Sequence, residues 1–293
     1  MKESKKMVLV GPAGVGKTSI YNSYFEMSNP KTLLDEPLEP TRGVNSSSYS
    51  LFNSHFGIFD LAGQENDLWL STNQDIFNNS NLVICIFDIM NSLELIISFL
   101  IKILQIKKRL HLSECKIITF IHKIDLVEPS YVFHKIKAIA DFFKSQYRRG
   151  QEIDIYKTSI AEEFFFSTYS ILGEILNLLF NQEERPQIGE EERSNIKNEI
   201  KMLLEMEKEV FYDKEILSRE FNFKIDDITS HIDRLLQVNF VQGNEALNSF
   251  KLTERSYFFK IGYEKEFSTA LNDEFERSFE SYHIFLSLNK IIA

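Results

Sequence analysis

The chain opens with an alternation of continuous apolar runs and stretches whose apolar residues recur at helical spacing. Residues 7–10 (MVLV), 82–88 (LVICIFD) and 116–121 (KIITFI) are unbroken apolar runs, the pattern of strands covered on both faces. Residues 153–156 read as a further strand. Residues 48–52 and 55–60 read as two short strands separated by Asn53-Ser54, a hairpin signal. Between and after these runs, residues 92–110 and 162–180 carry apolar positions at helical spacing. Strands alternating with helices predict an α/β domain over residues 1–182, built on a doubly wound, mostly parallel sheet. Residues 29–43 hold three prolines and little periodicity, and read as a mobile loop.

The pattern changes after residue 182. Residues 183–192 are acidic, contain Pro186 and Gly189, and read as a linker. Beyond it, 195–210 is amphipathic, 213–221 is a short helix with Asp213 as its cap, and 225–238 is a third helix capped by Asp226 or a near neighbour. Residues 239–242 and 249–252 then form two short strands around Gly243-Asn244. Three helices followed by a hairpin predict a smaller α+β domain over 193–293 with the pattern of a winged helix. From residue 264, Phe267, Phe275, Phe279, Tyr282, Phe285 and Leu288 form an apolar stripe at helical spacing. That stripe is expected to pack on its own domain, with an oligomer seam as the alternative.

Candidate chemistry sits at the ends of the predicted strands. Residues 11–18, GPAGVGKT, match G-x-x-x-x-G-K-[ST] between a strand and a helix opening at Thr18, the context of a phosphate-binding loop. Backbone N–H groups over Ala13, Gly14, Val15, Gly16, Lys17, Thr18 and Ser19, with the helix N-terminus behind them, would surround an anion with donors. Lys17 would reach the β/γ-phosphates and Thr18 would ligate Mg²⁺. Residues 60–65 read DLAGQE: Asp60 is suited to hold Mg²⁺ through water, Gly63 to donate its N–H to a γ-phosphate, and Gln64 to orient an attacking water. HKID at 122–125 and TSI at 158–160 each follow a strand. Asp125 is suited to accept from the two guanine donors that adenine lacks. Lys123 would lie along the base, and the turn Thr158-Ser159-Ile160 would present the Ser159 N–H to the guanine O6. The expected ligands are therefore GTP or GDP with Mg²⁺.

Composition narrows this picture without redirecting it. Hydrophobic residues make up 43% and charged residues 26% of the 293, an ordinary globular balance. No apolar run approaches the roughly 20 residues that span a bilayer, and the opening MKESKK lacks the apolar core of a signal peptide. The two cysteines, Cys85 and Cys115, lie in apolar runs and read as buried thiols of a reducing compartment, hence a cytoplasmic location. A net charge of −10 argues against charge-driven nucleic-acid binding. Residues 187–293 are acidic too, with 14 lysines and arginines against 21 aspartates and glutamates. The third helix of that region sets only Arg234 and Lys224 against Asp226, Asp227 and Asp233, so a protein-interaction module is expected there rather than a DNA reader.

Together these motifs resemble those of small GTPases, and of the Rag family more than Ras, Rab or Arf. FIHKIDLV at 120–127 has the His-Lys-x-Asp form of Rag proteins in place of Asn-Lys-x-Asp, and NQDIFNNSNLVICIFDIMN at 73–91 and KTSIAEE at 157–163 are similar to Rag segments. The resemblance covers residues 5–180. It implies that Thr41, in EPTRG, is the switch I threonine that meets Mg²⁺ and the γ-phosphate, with Thr32 competing for that role. It also implies that His122 stands where an asparagine normally ties the base-binding loop to the phosphate loop. Pro12 fixes φ and removes one loop donor, and Arg42 is the one arginine of the 29–43 loop. Eukaryotic Rag proteins carry a roadblock-type domain where this chain has the winged-helix pattern, which fits an archaeal-type member instead.

The implied function is a regulatory switch that hydrolyses GTP slowly unless a partner assists. Effectors, an exchange factor or an activating protein, and a second copy or related chain are the partners implied, with any membrane recruitment running through them. The competing expectation is a non-hydrolysing scaffold in which the nucleotide is structural.

Overall fold

A computed structural model describes residues 4–52, 54–146, 153–180, 187–244, 248–267 and 273–291; the side chains of 267 and 273–278 fall outside that description. The chain forms two compact units. One comprises Met1–Tyr21, Leu38–Ser159 and Asn289–Ala293, and the other Asn22–Pro37 and Ile160–Leu288.

The first unit is organised by strands β1 (Ser4–Val10), β2 (Val44–Leu51), β3 (Ser54–Leu61), β4 (Leu82–Asp88), β5 (Lys116–His122) and β6 (Asp154–Thr158). A short C-terminal strand, Asn289–Ile291, completes the seven-stranded sheet by pairing antiparallel with β2. Counted from that edge strand, the order continues β2, β3, β1, β4, β5, β6. β1 pairs parallel with β3 and β4, and β4–β5 and β5–β6 are parallel; β2 runs antiparallel to β3. This is the mostly parallel α/β sheet that the alternation predicts. The apolar runs account for it: every residue of β4 but the last is buried, as is all of β5 after Lys116, so both faces are covered. Cys85 and Cys115 are buried and free, and burial raises both thiols above their ordinary pKa.

Register sets the chemistry in rows. Leu9 of β1 lies opposite Asp60 of β3. Asp88, His122 and Thr158 form one row across the C-terminal ends of β4, β5 and β6. In such sheets the ligand crevice lies beyond those ends. Two helices flank the strands. Leu93–Arg109 is capped by the Ser92 side chain accepting from the Leu95 N–H at 3.2 Å, with Glu94 in its first turn and three cations in its last. Pro129–Gln146 buries Val132, Ile139 and Phe143.

Several local expectations are corrected. The 29–43 loop is not wholly irregular, because Pro30–Asp35 is helical, with Asn29 Oδ1 accepting from the Lys31 N–H and Pro30 at the first turn, where its missing donor costs nothing. Ser54, expected in the β2–β3 turn, is instead a strand residue paired with Leu51, and Asn53 lies outside the described residues. Phe52, which precedes Asn53, adopts a left-handed φ of 51°.

In the second unit a helix over Glu162–Leu179 packs against helices Glu254–Phe267 and Asp273–Ser287. Tyr169 sits at the centre, its ring 4.3 Å from that of Phe285 and 5.5 Å from that of Phe259. Phe279, Tyr282, Phe285 and Leu288 are all buried. The apolar stripe is therefore core, though not of residues 193–293 alone: Phe285 meets Tyr169 of a helix expected in the first domain, while Tyr282 meets Phe240 and Phe259; the seam alternative does not hold for these residues. Phe267 and Phe275 lie outside the described side chains.

Helices Glu190–Glu205, Lys214–Phe221 and Ile225–Gln237 accompany a three-stranded antiparallel sheet in which Ser249–Leu252 lies between Tyr212–Asp213 and Val241–Asn244. Asp213 caps its helix as expected, accepting from the Ile216 N–H at 2.7 Å. The third helix has Lys224, not Asp226, at its N-cap and no side-chain cap bond. Gly243 and Asn244, expected as the turn, are strand residues opposite Phe250 and Ser249, and residues 245–247 lie outside the described residues. The first of these helices starts at Glu190, inside the segment read as linker, because three glutamates at its first turn favour a helix N-terminus.

Candidate functional site

The phosphate-loop sequence begins where β1 ends. Helix Lys17–Tyr24 follows the loop directly. Lys17 is buried, and its Nζ donates to the Gly11 and Pro12 carbonyls at 2.8 Å each. Burial pulls its pKa down to about 8, with the Asp60 carboxylate opposing. Ala13 and Gly14 are exposed, Val15 is buried, and Gly16, Thr18 and Ser19 are half-buried. The loop is pinned at Gly16, where φ is 95° and an added Cβ would come within 2.6 Å of the His122 ring. Only glycine fits both constraints.

Three oxygen-bearing side chains converge beside the loop. Thr18 Oγ1 donates to Asp60 Oδ2 at 2.8 Å and lies 2.9 Å from Thr41 Oγ1. Asp60 has no exposed surface, and its Oδ1 has no hydrogen-bond partner. Burial pushes its carboxyl above the usual carboxylate range, while Thr18, Lys17 and Thr41 pull it back. A buried acceptor of this kind is costly unless something satisfies it. Thr32, the alternative switch threonine, is exposed on helix Pro30–Asp35 in the other unit.

The segment after Asp60 leans on the same loop. At Gly63 an added Cβ would meet the Pro12 carbonyl oxygen at 2.5 Å and the Ala13 nitrogen at 2.6 Å, so backbone packs on backbone here. Gln64 beside it is exposed. Three contacts that carry no sequence motif hold the segment. Asn66 Nδ2 donates to the Gly11 carbonyl at 2.9 Å, Trp69 Nε1 donates to the Ala62 carbonyl at 3.0 Å, and Glu65 Oε1 accepts from the Gly43 N–H at 2.9 Å. The Ala62 N–H also donates to the Gly43 carbonyl. The segment bearing Thr41 is thus tied to the segment bearing Gln64. Arg42, between them, is exposed.

The remaining residues line the row at the ends of β4, β5 and β6. His122 is buried, its Nδ1 lies 3.0 Å from Thr158 Oγ1, and the other side of its ring faces Gly16. It therefore spans from the β6 end to the phosphate loop. Burial, aided by the Lys123 charge, lowers its pKa to about 3, with Asp88 and Thr158 opposing; the imidazole is neutral. Lys123 adopts φ 60°, a left-handed conformation. Its Nζ donates to the Gly14 carbonyl at 2.7 Å and pairs with Asp88 Oδ2 at 2.8 Å. Asp88 was not singled out from the sequence, although a carboxylate closing a wholly apolar run is a readable signal. Asp125 is exposed and accepts from Ser159 Oγ at 2.5 Å. Thr158, Ser159 and Ile160 are buried.

The structure thus brings Lys17, Thr18, Thr41 and Asp60 together, and a second group of His122, Lys123, Asp125, Thr158 and Ser159 meets the loop at Gly14 and Gly16. Among the described residues no three or more His, Cys, Asp or Glu side chains cluster as a metal site; the oxygens around Asp60 are mainly hydroxyls. No described helix is long and apolar enough to cross a membrane. The conserved region of Gtr1/RagA G proteins matches residues 6–215. No curated protein matches the chain.

Proposed function

The chain belongs to the Gtr1/RagA G protein family, and on that premise we propose that it is a nucleotide-dependent switch that hydrolyses GTP slowly. The observation that carries this reading is the convergence of Thr18, Thr41 and Asp60, with Asp60 Oδ1 buried and unpartnered. An all-oxygen set fits a hard divalent cation, and Mg²⁺ characteristically keeps several waters while taking few protein ligands. Thr18 and Thr41 would hold Mg²⁺ directly and Asp60 through water. When bound, the metal neutralises charge on the β- and γ-phosphates.

The chain's own residues would do the rest. Lys17 has two of its three N–H groups on loop carbonyls, leaving one for a phosphate oxygen. Ala13 through Ser19 and Gly63 would supply backbone donors. Gln64, exposed beside Gly63, would orient the attacking water. Asp125, Lys123 and the Thr158-Ser159-Ile160 turn would hold guanine, with His122 fixing that turn against the loop. Arg42, the only arginine near Thr41 in sequence, is exposed, and an exposed salt-bridging role for it would leave the loop without a cationic finger, so that intrinsic turnover would be slow.

The domain assignment proposed with this function is a G domain over 1–182 and an interaction domain over 193–293, the linker expected over 183–192 being shortened by the helix that starts at Glu190. A winged-helix reading of the last is supported by its three helices and three-stranded antiparallel sheet. Its third helix has its one arginine, Arg234, engaged by Glu192 and Glu199. That leaves little to meet DNA, and favours protein partners: effectors, regulators, or a second copy or related chain. The working location is the cytoplasm, with any membrane recruitment through a partner.

Single-turnover hydrolysis of GTP by the parent and by Gln64→Leu tests the proposal. The variant should bind GTP normally and cleave it more slowly by about tenfold or more. Equal rates, or no cleavage by the parent on any timescale, would favour a scaffold in which nucleotide is structural.

A further inference from the structure

The segment after Asp60 is held to the phosphate loop by a side chain that no motif predicts. Asn66 Nδ2 donates to the Gly11 carbonyl at 2.9 Å, and Lys17 Nζ donates to the same oxygen at 2.8 Å. A carbonyl oxygen has two lone pairs, so this one is fully used. The anchor is firm, because Gly11 packs so closely on β4 that an added Cβ would collide with the Ile86 carbonyl. Asn66 lies two residues after Gln64 and three after Gly63, whose backbone meets Pro12 and Ala13. Gln64 therefore rides on a turn fastened on both sides to the loop that would hold the phosphates.

The amide can be oriented in one way only. Turned over, it would set its own oxygen against the Gly11 oxygen, acceptor on acceptor. Its Oδ1 is buried and has no hydrogen-bond partner, a cost comparable to the whole worth of the bond that Nδ2 makes. For stability alone an apolar side chain would serve as well here. Local conflicts of this kind mark positions held for a task. The next turn, Leu68–Thr72, is π-helical, a rare form that concentrates at functional sites. It carries Trp69, the chain's single tryptophan, which is buried with its Nε1 on the Ala62 carbonyl at 3.0 Å. A spectroscopic reporter thus sits three residues beyond Asn66 on the same segment.

On the premise of the hydrolytic switch proposed above, we propose that Asn66 is a positioning residue for that reaction: its amide latches the turn carrying Gln64 onto the carbonyl that also seats Lys17. One neutral hydrogen bond shifts an equilibrium between docked and undocked turn by about two- to tenfold. The latch touches none of the groups that would hold guanine or Mg²⁺, so it should act on cleavage rather than on nucleotide affinity. The test compares the full chain with Asn66→Leu and Asn66→Gln. Leucine has the branching of asparagine without its polar atoms, and it leaves the Gly11 oxygen on Lys17. Single-turnover cleavage of GTP by Asn66→Leu should slow by about three- to tenfold, with GTP and GDP affinities within about twofold of the parent's. Its Tm should be no lower, since no buried oxygen is left unpaired, and acrylamide should quench Trp69 more readily than in the parent. Asn66→Gln keeps the donor and should recover most of the rate. Loss of rate together with loss of Tm and of nucleotide affinity would mark a structural residue and overturn the proposal, as would rates and quenching equal to the parent's. If the parent itself cleaves no GTP, the hydrolytic reading fails, while Trp69 quenching still decides whether Asn66 holds the turn.

Discussion

His122 gives the most quantitative handle on the site. Its ring is buried between Thr158 and Gly16, and burial with the nearby Lys123 charge lowers its pKa from 6.5 to about 3. The native state therefore excludes a proton that the unfolded chain accepts below about pH 6.5. Between those two values the unfolded state binds more protons, so stability falls as pH falls. It is complete above pH 6.5 and lost progressively towards pH 3. At pH 5 the loss attributable to this one group is about 2 kcal/mol, out of a limit of about 5 kcal/mol reached near pH 3. For a unit of this size, 2 kcal/mol corresponds to roughly 4–8 °C in Tm. The perturbation is His122→Asn, which keeps a polar side chain but cannot titrate. Other groups titrate in the same window, so the quantity to measure is the difference between parent and variant, by thermal unfolding at pH 7 and pH 5 without nucleotide. The variant starts lower because packing against Gly16 changes, but it should lose less on acidification, by the stated amount. Parallel pH profiles would refute the reasoning, as would an NMR titration placing the imidazole near pH 6.5.

Two further outcomes follow from the same geometry. Asp125→Ala should abolish the discrimination between GTP and ATP, measured by calorimetry; two hydrogen bonds to a carboxylate at about 1.5–3 kcal/mol each make a preference of about a hundredfold or more in the parent. Thr41→Ala should weaken Mg²⁺-dependent binding of a GTP analogue while leaving GDP binding nearly unchanged, and Thr32→Ala should do neither, because Thr41 Oγ1 lies 2.9 Å from Thr18 Oγ1. A stronger effect from Thr32→Ala would reverse the switch assignment.

The central strands were legible because β4 and β5 are covered on both faces, so their sequences are simply apolar. Helix Pro129–Gln146 was passed over: its buried positions, Val132, Ile139 and Phe143, are spread thinly among polar ones. Helix Pro30–Asp35 hid inside a proline-rich segment, although Asn29 followed by Pro30 is a start signal. The three-residue strand Asn289–Ile291 exists only through its pairing with β2, and no local pattern announces that. In the site, the phosphate loop, DLAGQE and HKID were readable because each is a fixed spacing at a strand end. Asn66 and Glu65, which brace the segment after Asp60, were not, because their partners are backbone groups more than 20 residues away in the chain.

The claim that nucleotide throws a switch is tested most directly by hydrogen exchange of the full chain with GDP and with a GTP analogue, Mg²⁺ present in both. Residues 38–43 and 63–73 are coupled through Glu65 to the Gly43 N–H and through the Ala62 N–H to the Gly43 carbonyl. Anchoring Thr41 on a γ-phosphate-bound metal should therefore slow exchange in both segments together, by about tenfold or more, on the logic of γ-phosphate-ordered switch loops. The apolar strands β4 and β5 should not change. Identical exchange of both segments in the two nucleotide states would contradict the account.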